Sequence, residues 1–244
     1  MRTSPDRHPR APAASPPPAE AQGVAFFDLD RTLLACNSAV PWLVEEVRRG
    51  HVGLLEALRT IGALARYRLG DGDLESALRW KISRSAGRDA RATERCTAAF
   101  YERVLRRRMR PGGLAALEEH RARGERCVLL TAGTQHLSEL VARDLGLDGV
   151  VCTVAEIDGT GRYTGRIVGR PCFGHGKAAA AERFAAAAGV PLSRCTFFTD
   201  SAADLPTLEV VGHPVAVNPD ARLRRVARAR GWPVVVWGDA RPGG

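Results

Sequence analysis

The chain has 244 residues, 45% of them hydrophobic and 26% charged, which suits one large water-facing domain or one domain with a smaller one inserted. The longest run free of Asp, Glu, Lys and Arg is Thr32–Val44, which contains Asn37, Ser38 and Pro41, so no segment is expected to span a membrane. The net charge of +9 rests almost wholly on arginine, since lysine occurs only at Lys81 and Lys177. The clusters Arg106–Arg110 and Arg222–Arg230 have no interleaved aromatic residues to stack on bases, so they read as solvated helix faces and not as a nucleic-acid surface.

Residues 1–22 are rich in Pro, Ala and Ser and lack the apolar core of a secretory signal, which predicts a disordered leader. The six cysteines show no C-x-x-C spacing, so free thiols in a reducing cytoplasm are expected, without a zinc site. Beyond the leader, continuous apolar runs alternate with helix-like segments. The runs are "GVAFFDLD" (Gly23–Asp30), "RCVLLTAG" (Arg126–Gly133), "GVVCTV" (Gly149–Val154), "RCTFFTD" (Arg194–Asp200), "PVAV" (Pro214–Val217) and "PVVVW" (Pro233–Trp237). Unbroken apolar runs mark strands covered on both faces. With helices between them they predict an α/β fold, a Rossmann-like doubly wound parallel sheet. The last helix is expected to start at Asn218, with Pro219 in its first turn.

Two intervals break this rhythm. About 75 residues separate the first strand from the second and carry helix patterns only, too long for a loop in a compact domain. A helical domain inserted over 36–109 is expected, leaving 23–35 and 110–240 as the core. In the insert Leu54, Leu55, Leu58, Ile61 and Leu64 form a stripe at helical spacing, expected to be the insert's own core, with a membrane-facing role as the alternative. The glycines of "EIDGTGRYTGRI" (Glu156–Ile167) predict a β-hairpin projecting from the sheet.

Ligands of open α/β sheets bind at the carboxyl ends of the strands. The first strand ends on Asp28, with Asp30 just beyond; the second ends on Thr131; the fourth runs into "TDSAAD", with Asp200 and Asp204; and "GHGKA" places Lys177 at the start of a helix. Such carboxylates suit Mg²⁺, and with an ammonium they suit phosphoryl transfer. Either aspartate of the first pair can attack phosphorus while the other moves protons.

The set "DLDRT", "LLTAG", "GHGKA" and "TDSAAD" resembles the four motifs of the haloacid dehalogenase superfamily of phosphohydrolases. The phrasing "FFDLDRTLL", "DGTGRYTGR" and "FFTDSAADLPTLE" is similar to its phosphoserine-phosphatase-like subfamily IB, and the insert resembles that family's C1 cap. The resemblance runs from about Gly23 to Trp237. It implies that Asp28 is nucleophile and Mg²⁺ ligand, and that Asp30 is general acid/base and binds Mg²⁺ through its carbonyl. Asp200 is implied as a further ligand, Thr131 and Lys177 as phosphate-binding residues, and Asp204 as their support. Asn37 stands where phosphoserine phosphatases carry a glutamate for the substrate's amino group, and Arg31 stands where the family often has a small residue. Arg31, Asn37, Arg84 and Arg88 are therefore candidates for substrate selection. The expected function is Mg²⁺-dependent hydrolysis of a small phosphate ester through an aspartyl-phosphate. The alternatives are a lipid-head-group phosphatase and a catalytically silent binding module of the same fold.

Overall fold

The computed structural model describes residues 22–68 and 74–239; the leader expected over 1–22 lies outside these except for Gln22. Six strands form a sheet: β1 (Val24–Phe27), β2 (Arg126–Thr134), β3 (Gly149–Thr153), β6 (Cys195–Thr199), β7 (His213–Val217) and β8 (Val234–Val235). They are all parallel, in the order β3-β2-β1-β6-β7-β8. The six apolar runs of the sequence thus become the six strands.

The period of two within β1 divides the molecule. Val24 and Phe26 pack into one core with α7 (His175–Ala187) and α9 (Ala221–Arg230), through residues such as Ala181 and Leu223. Ala25 and Phe27 pack into the other with α5 (Pro111–Ala122) and α6 (Gln135–Asp144), through Leu117 and Val141. Helices therefore cover both faces, and the strand order reverses between β1 and β6. A reversal of that kind opens a crevice beyond the strand ends.

The chain leaves the sheet after Leu34 and returns at Met109, and these two residues form an antiparallel bridge. Ala35 N–H donates to the Arg108 carbonyl (2.9 Å) and Arg110 N–H to the Leu33 carbonyl (2.8 Å). The excursion begins and ends at one stitched point. It holds α1 (Ala39–Arg48), α2 (Leu54–Arg68), α3 (Leu74–Ser83) and α4 (Ala90–Phe100), and α4 is capped by Asp89, which accepts from Ala92 N–H at 2.6 Å. Among its described residues there is no strand.

The leucine stripe of α2 is not the insert's core. Leu54, Leu55 and Leu58 are exposed and Ile61 is half-buried, while Ala57, one turn on from Leu54, is buried. The α2 helix packs beside α1 and α3 with its leucine edge turned outward. The side chain of Leu64 lies outside the described residues.

The expected hairpin forms from β4 (Ala155–Ile157) and β5 (Tyr163–Ile167), a separate antiparallel pair. Ala155 and Tyr163 share a small core with Ile82 and Ala90 of the insert. Gly87 N–H donates to Tyr163 O, Tyr163 N–H to Arg88 O, and Ala90 N–H to Gly161 O, so the hairpin strap ties the inserted helices to the sheet domain.

The last helix starts later than the sequence predicts. Asp220 caps α9 by accepting from Leu223 N–H (2.7 Å), and Gly231 ends it at φ 67°. Asn218 instead adopts φ 43°, and its amide clasps the Trp237 backbone through two 2.8 Å hydrogen bonds. That clasp beats the cap because it seats the Trp237 ring over α5, where a Cβ at Gly112 would lie 2.5 Å from the indole.

Candidate active site

Asp28 is the first residue past β1. Its N–H donates to the Phe198 carbonyl at 2.9 Å, which extends the ladder with β6 by one rung and fixes its backbone. The chain then makes one wide turn over Leu29–Leu33, closed by Leu34 N–H on Leu29 O (2.8 Å). Inside that turn Asp30 is extended and Arg31 takes φ 62°, a left-handed conformation unusual for a residue with a Cβ. Thr32 is fully buried beneath the turn.

The Asp30 carboxylate accepts the Ser38 N–H at 2.8 Å, at the start of α1. It therefore joins the sheet domain to the first inserted helix at a helix N-terminus, where negative charge is favoured. Asn37 caps the same helix, with its side-chain oxygen accepting from Ala39 N–H at 3.0 Å.

Lys177 stands in the first turn of α7 and is 2% exposed. Two glycines put it there. Gly174 has φ 51°, and a Cβ at Gly176 would lie 2.3 Å from the Pro171 carbonyl oxygen. The spacing G-x-G-K is thus a backbone requirement as much as a chemical one. Lys177 Nζ lies 2.9 Å from Asp28 Oδ1 and 2.8 Å from Asp204 Oδ2, over the ring of Phe197 at 5.3 Å. Thr199 at the end of β6 donates its hydroxyl to the same Asp204 oxygen at 2.6 Å. Asp200 follows β6 directly and is buried; its carbonyl accepts Asp220 N–H (2.8 Å). Asp220 in turn accepts Ala202 N–H (2.9 Å), which pins the loop carrying Asp200 and Asp204.

Thr131 is buried in β2, and its hydroxyl accepts Gly133 N–H at 3.1 Å. The pairing of β2 with β3 slips between Leu130 and Thr134, so residues 131–133 leave the ladder at this point.

Electrostatics follow from the packing. Burial pushes the Asp28 carboxyl up to about 7, against the pull of Lys177. Burial also raises Asp30 above the usual carboxylate range, opposed by its Ser38 hydrogen bonds. Burial alone would lower Lys177, but Asp204 and Asp28 outweigh it and hold the ammonium charged. Three buried carboxylates (Asp28, Asp200 and Asp204) thus stand against one buried ammonium. An oxygen-only donor set with excess negative charge fits a divalent cation such as Mg²⁺. Among the described residues no three His, Cys, Asp or Glu side chains converge as ligands. The Asp30 carboxylate is turned to Ser38.

The remaining candidates lie in the turn and the insert. Arg31 is half-buried in the turn after β1. Arg84 pairs with Glu56 (3.0 Å) and Arg88 with Glu46 (2.7 Å), both within the inserted helices. Sequence reasoning missed Lys81. Crowding by protein atoms pulls its ammonium below the usual lysine value, while Asp30 and Glu46 pull it the other way, yet the side chain is solvent-accessible. It shares its electrostatic field with Asp30 and Glu46. Its rarity in an arginine-rich chain was the one available signal. Thr199 and Asp220 were also missed, because each acts by holding another residue and carries no motif of its own.

A buried carboxylate–ammonium–carboxylate row at the switch point of a doubly wound sheet, with helices inserted after β1, defines a class of phosphoryl-handling hydrolase. Residues 25–209 match the haloacid dehalogenase-like hydrolase family. A phosphoserine phosphatase of Mycobacterium tuberculosis is 35% identical over 223 residues, covering 89% of this chain and 72% of the relative. A histidinol-phosphatase of Neisseria meningitidis is 28% identical, covering 88% and 98%. A crystal structure of a protein of unknown function from Bordetella pertussis superimposes with a TM-score of 0.77 at 33% identity, covering 87% of this chain and 97% of that one. The chain belongs to the haloacid dehalogenase-like hydrolases, and within them to the phosphatases. No helix among the described residues is long and apolar enough to cross a membrane.

Proposed function

We propose that this chain hydrolyses a small phosphate monoester through an aspartyl-phosphate on Asp28. The observation that carries the reading is the position of Lys177, held between Asp28 and Asp204 at the reversal of strand order. An ammonium fixed beside a nucleophilic carboxylate binds the phosphoryl oxygens and holds phosphorus over Asp28 Oδ. The Thr131 hydroxyl and the N–H groups beyond it bind the other oxygens.

As Asp28 Oδ bonds to phosphorus, the ester P–O bond breaks, and Asp30 gives its proton to the departing alkoxide. Asp30 then takes a proton from the water that attacks phosphorus. The acyl phosphate breaks at its P–O bond, phosphate leaves, and Asp28 is restored. Asp28, Asp200 and the Asp30 carbonyl would hold Mg²⁺, which would supply positive charge to the phosphoryl oxygens. Residues 36–109 act as a cap over the core of 23–35 and 110–240, excluding water during transfer. The Asp30–Ser38 hydrogen bond supports this by tying the acid/base to the cap's first helix.

The relatives' names denote phosphatases for phosphoserine and for histidinol phosphate, both monoesters of small amino alcohols. In this chain Asn37 spends its side-chain oxygen on α1, and a neutral amide pairs weakly with an ammonium. The proposed substrate is therefore a small phosphate monoester selected without strict preference for phosphoserine. A phosphate-release screen across phosphorylated metabolites with Mg²⁺, run beside Asp28→Asn, tests the reaction. Turnover lost in the variant, with unchanged thermal unfolding, is expected; near-wild-type turnover in the variant removes Asp28 as nucleophile.

A further inference from the structure

The outward face of α2 is an unusual feature for a water-exposed helix. Leu54, Leu55 and Leu58 are 68%, 62% and 57% exposed, adjacent on one edge of the helix. A Cβ added at Gly53 or Gly62 would meet nothing within 4 Å, so no described residue stands over that edge. Trp80 of α3 is 48% exposed. The Arg84 guanidinium stacks on its ring at 5.4 Å and pairs with Glu56 in the first turn of α2. Arg59, one turn beyond Leu55, and Arg48, at the end of the neighbouring α1, are both exposed. Among the described residues neither has an ion-pair partner. Residues 36–109 hold fifteen Arg and Lys against nine Asp and Glu, so most of the chain's net charge of +9 sits in the insert.

We propose that this face docks the protein on an anionic membrane surface, with the leucines in the apolar boundary and the arginines on the lipid headgroups. Exposed leucines on an arginine-rich helix match the two layers of such a surface. The other occupants fit less well. Residues 1–21 contain no Leu, Ile, Val, Phe, Tyr or Trp with which to fill an apolar face. A second copy docked through the same face would bring two arginine rims together. The proposal concerns where the chain sits and is independent of which ester it cleaves.

The test is co-sedimentation of the full chain with vesicles of phosphatidylcholine alone and with about a third phosphatidylglycerol, at low and high salt. Binding to the anionic vesicles, weakened roughly tenfold or more by high salt and by omitting the anionic lipid, is expected. Replacing Leu54, Leu55 and Leu58 together by Ser should abolish that binding with an unchanged unfolding midpoint, and Arg59→Glu should weaken it. Absence of wild-type binding to either vesicle overturns the proposal, as does undiminished binding by the triple variant. A dimer that the triple variant dissociates, without vesicle binding, also overturns it and makes the face a contact between copies. Sedimentation reads none of the chemistry, so a failure here leaves the reaction at Asp28 untouched.

Discussion

Asp204 accepts from the Lys177 ammonium at 2.8 Å while its same oxygen accepts from Thr199, and this fork aims the ammonium at Asp28. Asp204 touches no position where an ester is expected to sit, so it is a positioning residue. Asp204→Asn keeps the shape but removes the charge from a buried charge-assisted bond. The expected result is a fall in kcat of about 10- to 100-fold with a smaller change in KM, since the geometry of the transition state suffers more than ground-state binding. Thr199→Val should give a weaker effect of the same kind. Equal losses in kcat for several unrelated phosphate esters would support positioning; unchanged kcat in Asp204→Asn would refute it.

Gly176 shows how a motif's glycine earns its place. Its Cα approaches the Pro171 carbonyl so closely that any Cβ collides with backbone, which has no flexible end to yield. Gly176→Ala should lower stability by about 1–3 kcal/mol, as an overpacked site does. It should also cut turnover disproportionately, because the start of α7 must shift and Lys177 shifts with it. Urea unfolding and kinetics on the same preparation check both; a stable variant with full activity would show that the loop relaxes freely.

Much of this architecture was legible beforehand, and the physical reasons differ element by element. The six strands were visible because strands covered on both faces must be apolar throughout, and Asp28 and Asp200 stood out as acids where such runs end. The helices between β1 and β2 were visible through the length of that interval. The fate of the leucine stripe was not, because helical spacing specifies a face but not which face meets a neighbour. The start of α9 was misjudged because Asn218 and Asp220 are both good caps. Only the tertiary position of Trp237 assigns Asn218 to another task. Thr199 and Asp220 join the site through space alone.

Arg31 is held at φ 62° in the turn between the two aspartates. Arg31→Gly relieves that strain but adds freedom to the unfolded chain, so its stability should stay within about 1 kcal/mol of wild type. Arg31→Val, with a branched Cβ, should lose more than about 1 kcal/mol. If Arg31 contributes to selecting the substrate, Arg31→Gly should raise KM for esters with a second anionic group and spare those without one. Equal KM changes for both kinds would confine Arg31 to a structural role.

Chelation with EDTA should stop turnover and added Mg²⁺ should restore it. The binding itself has a second readout. A cation that joins only the folded state raises its stability, by about 2.7 kcal/mol at a hundredfold excess over Kd. The thermal midpoint of the wild type should therefore rise with Mg²⁺, and Asp200→Asn should blunt that rise. A midpoint indifferent to Mg²⁺ in the wild type, with activity surviving EDTA, would remove the metal from the site.

The buried thiols make a prediction about alkali. Burial raises Cys127 and Cys195 from 9.0 to about 11 and Cys172 to about 12. The folded chain thus keeps these protons where the unfolded chain loses them. Since the folded state then binds more protons, stability should fall as pH rises above about 9 and level off only beyond the folded values. The same shift leaves almost no thiolate at pH 8, so a thiol reagent should modify these three only as fast as the protein unfolds. Among the half-buried thiols, burial also raises Cys36 and lifts Cys152 to about 11, so Cys96 is the one expected to react readily in the folded state. Counting modified thiols by mass, with and without urea, separates the two groups. Rapid native-state labelling of Cys172 would show that its side of the sheet opens far more readily than its packing allows.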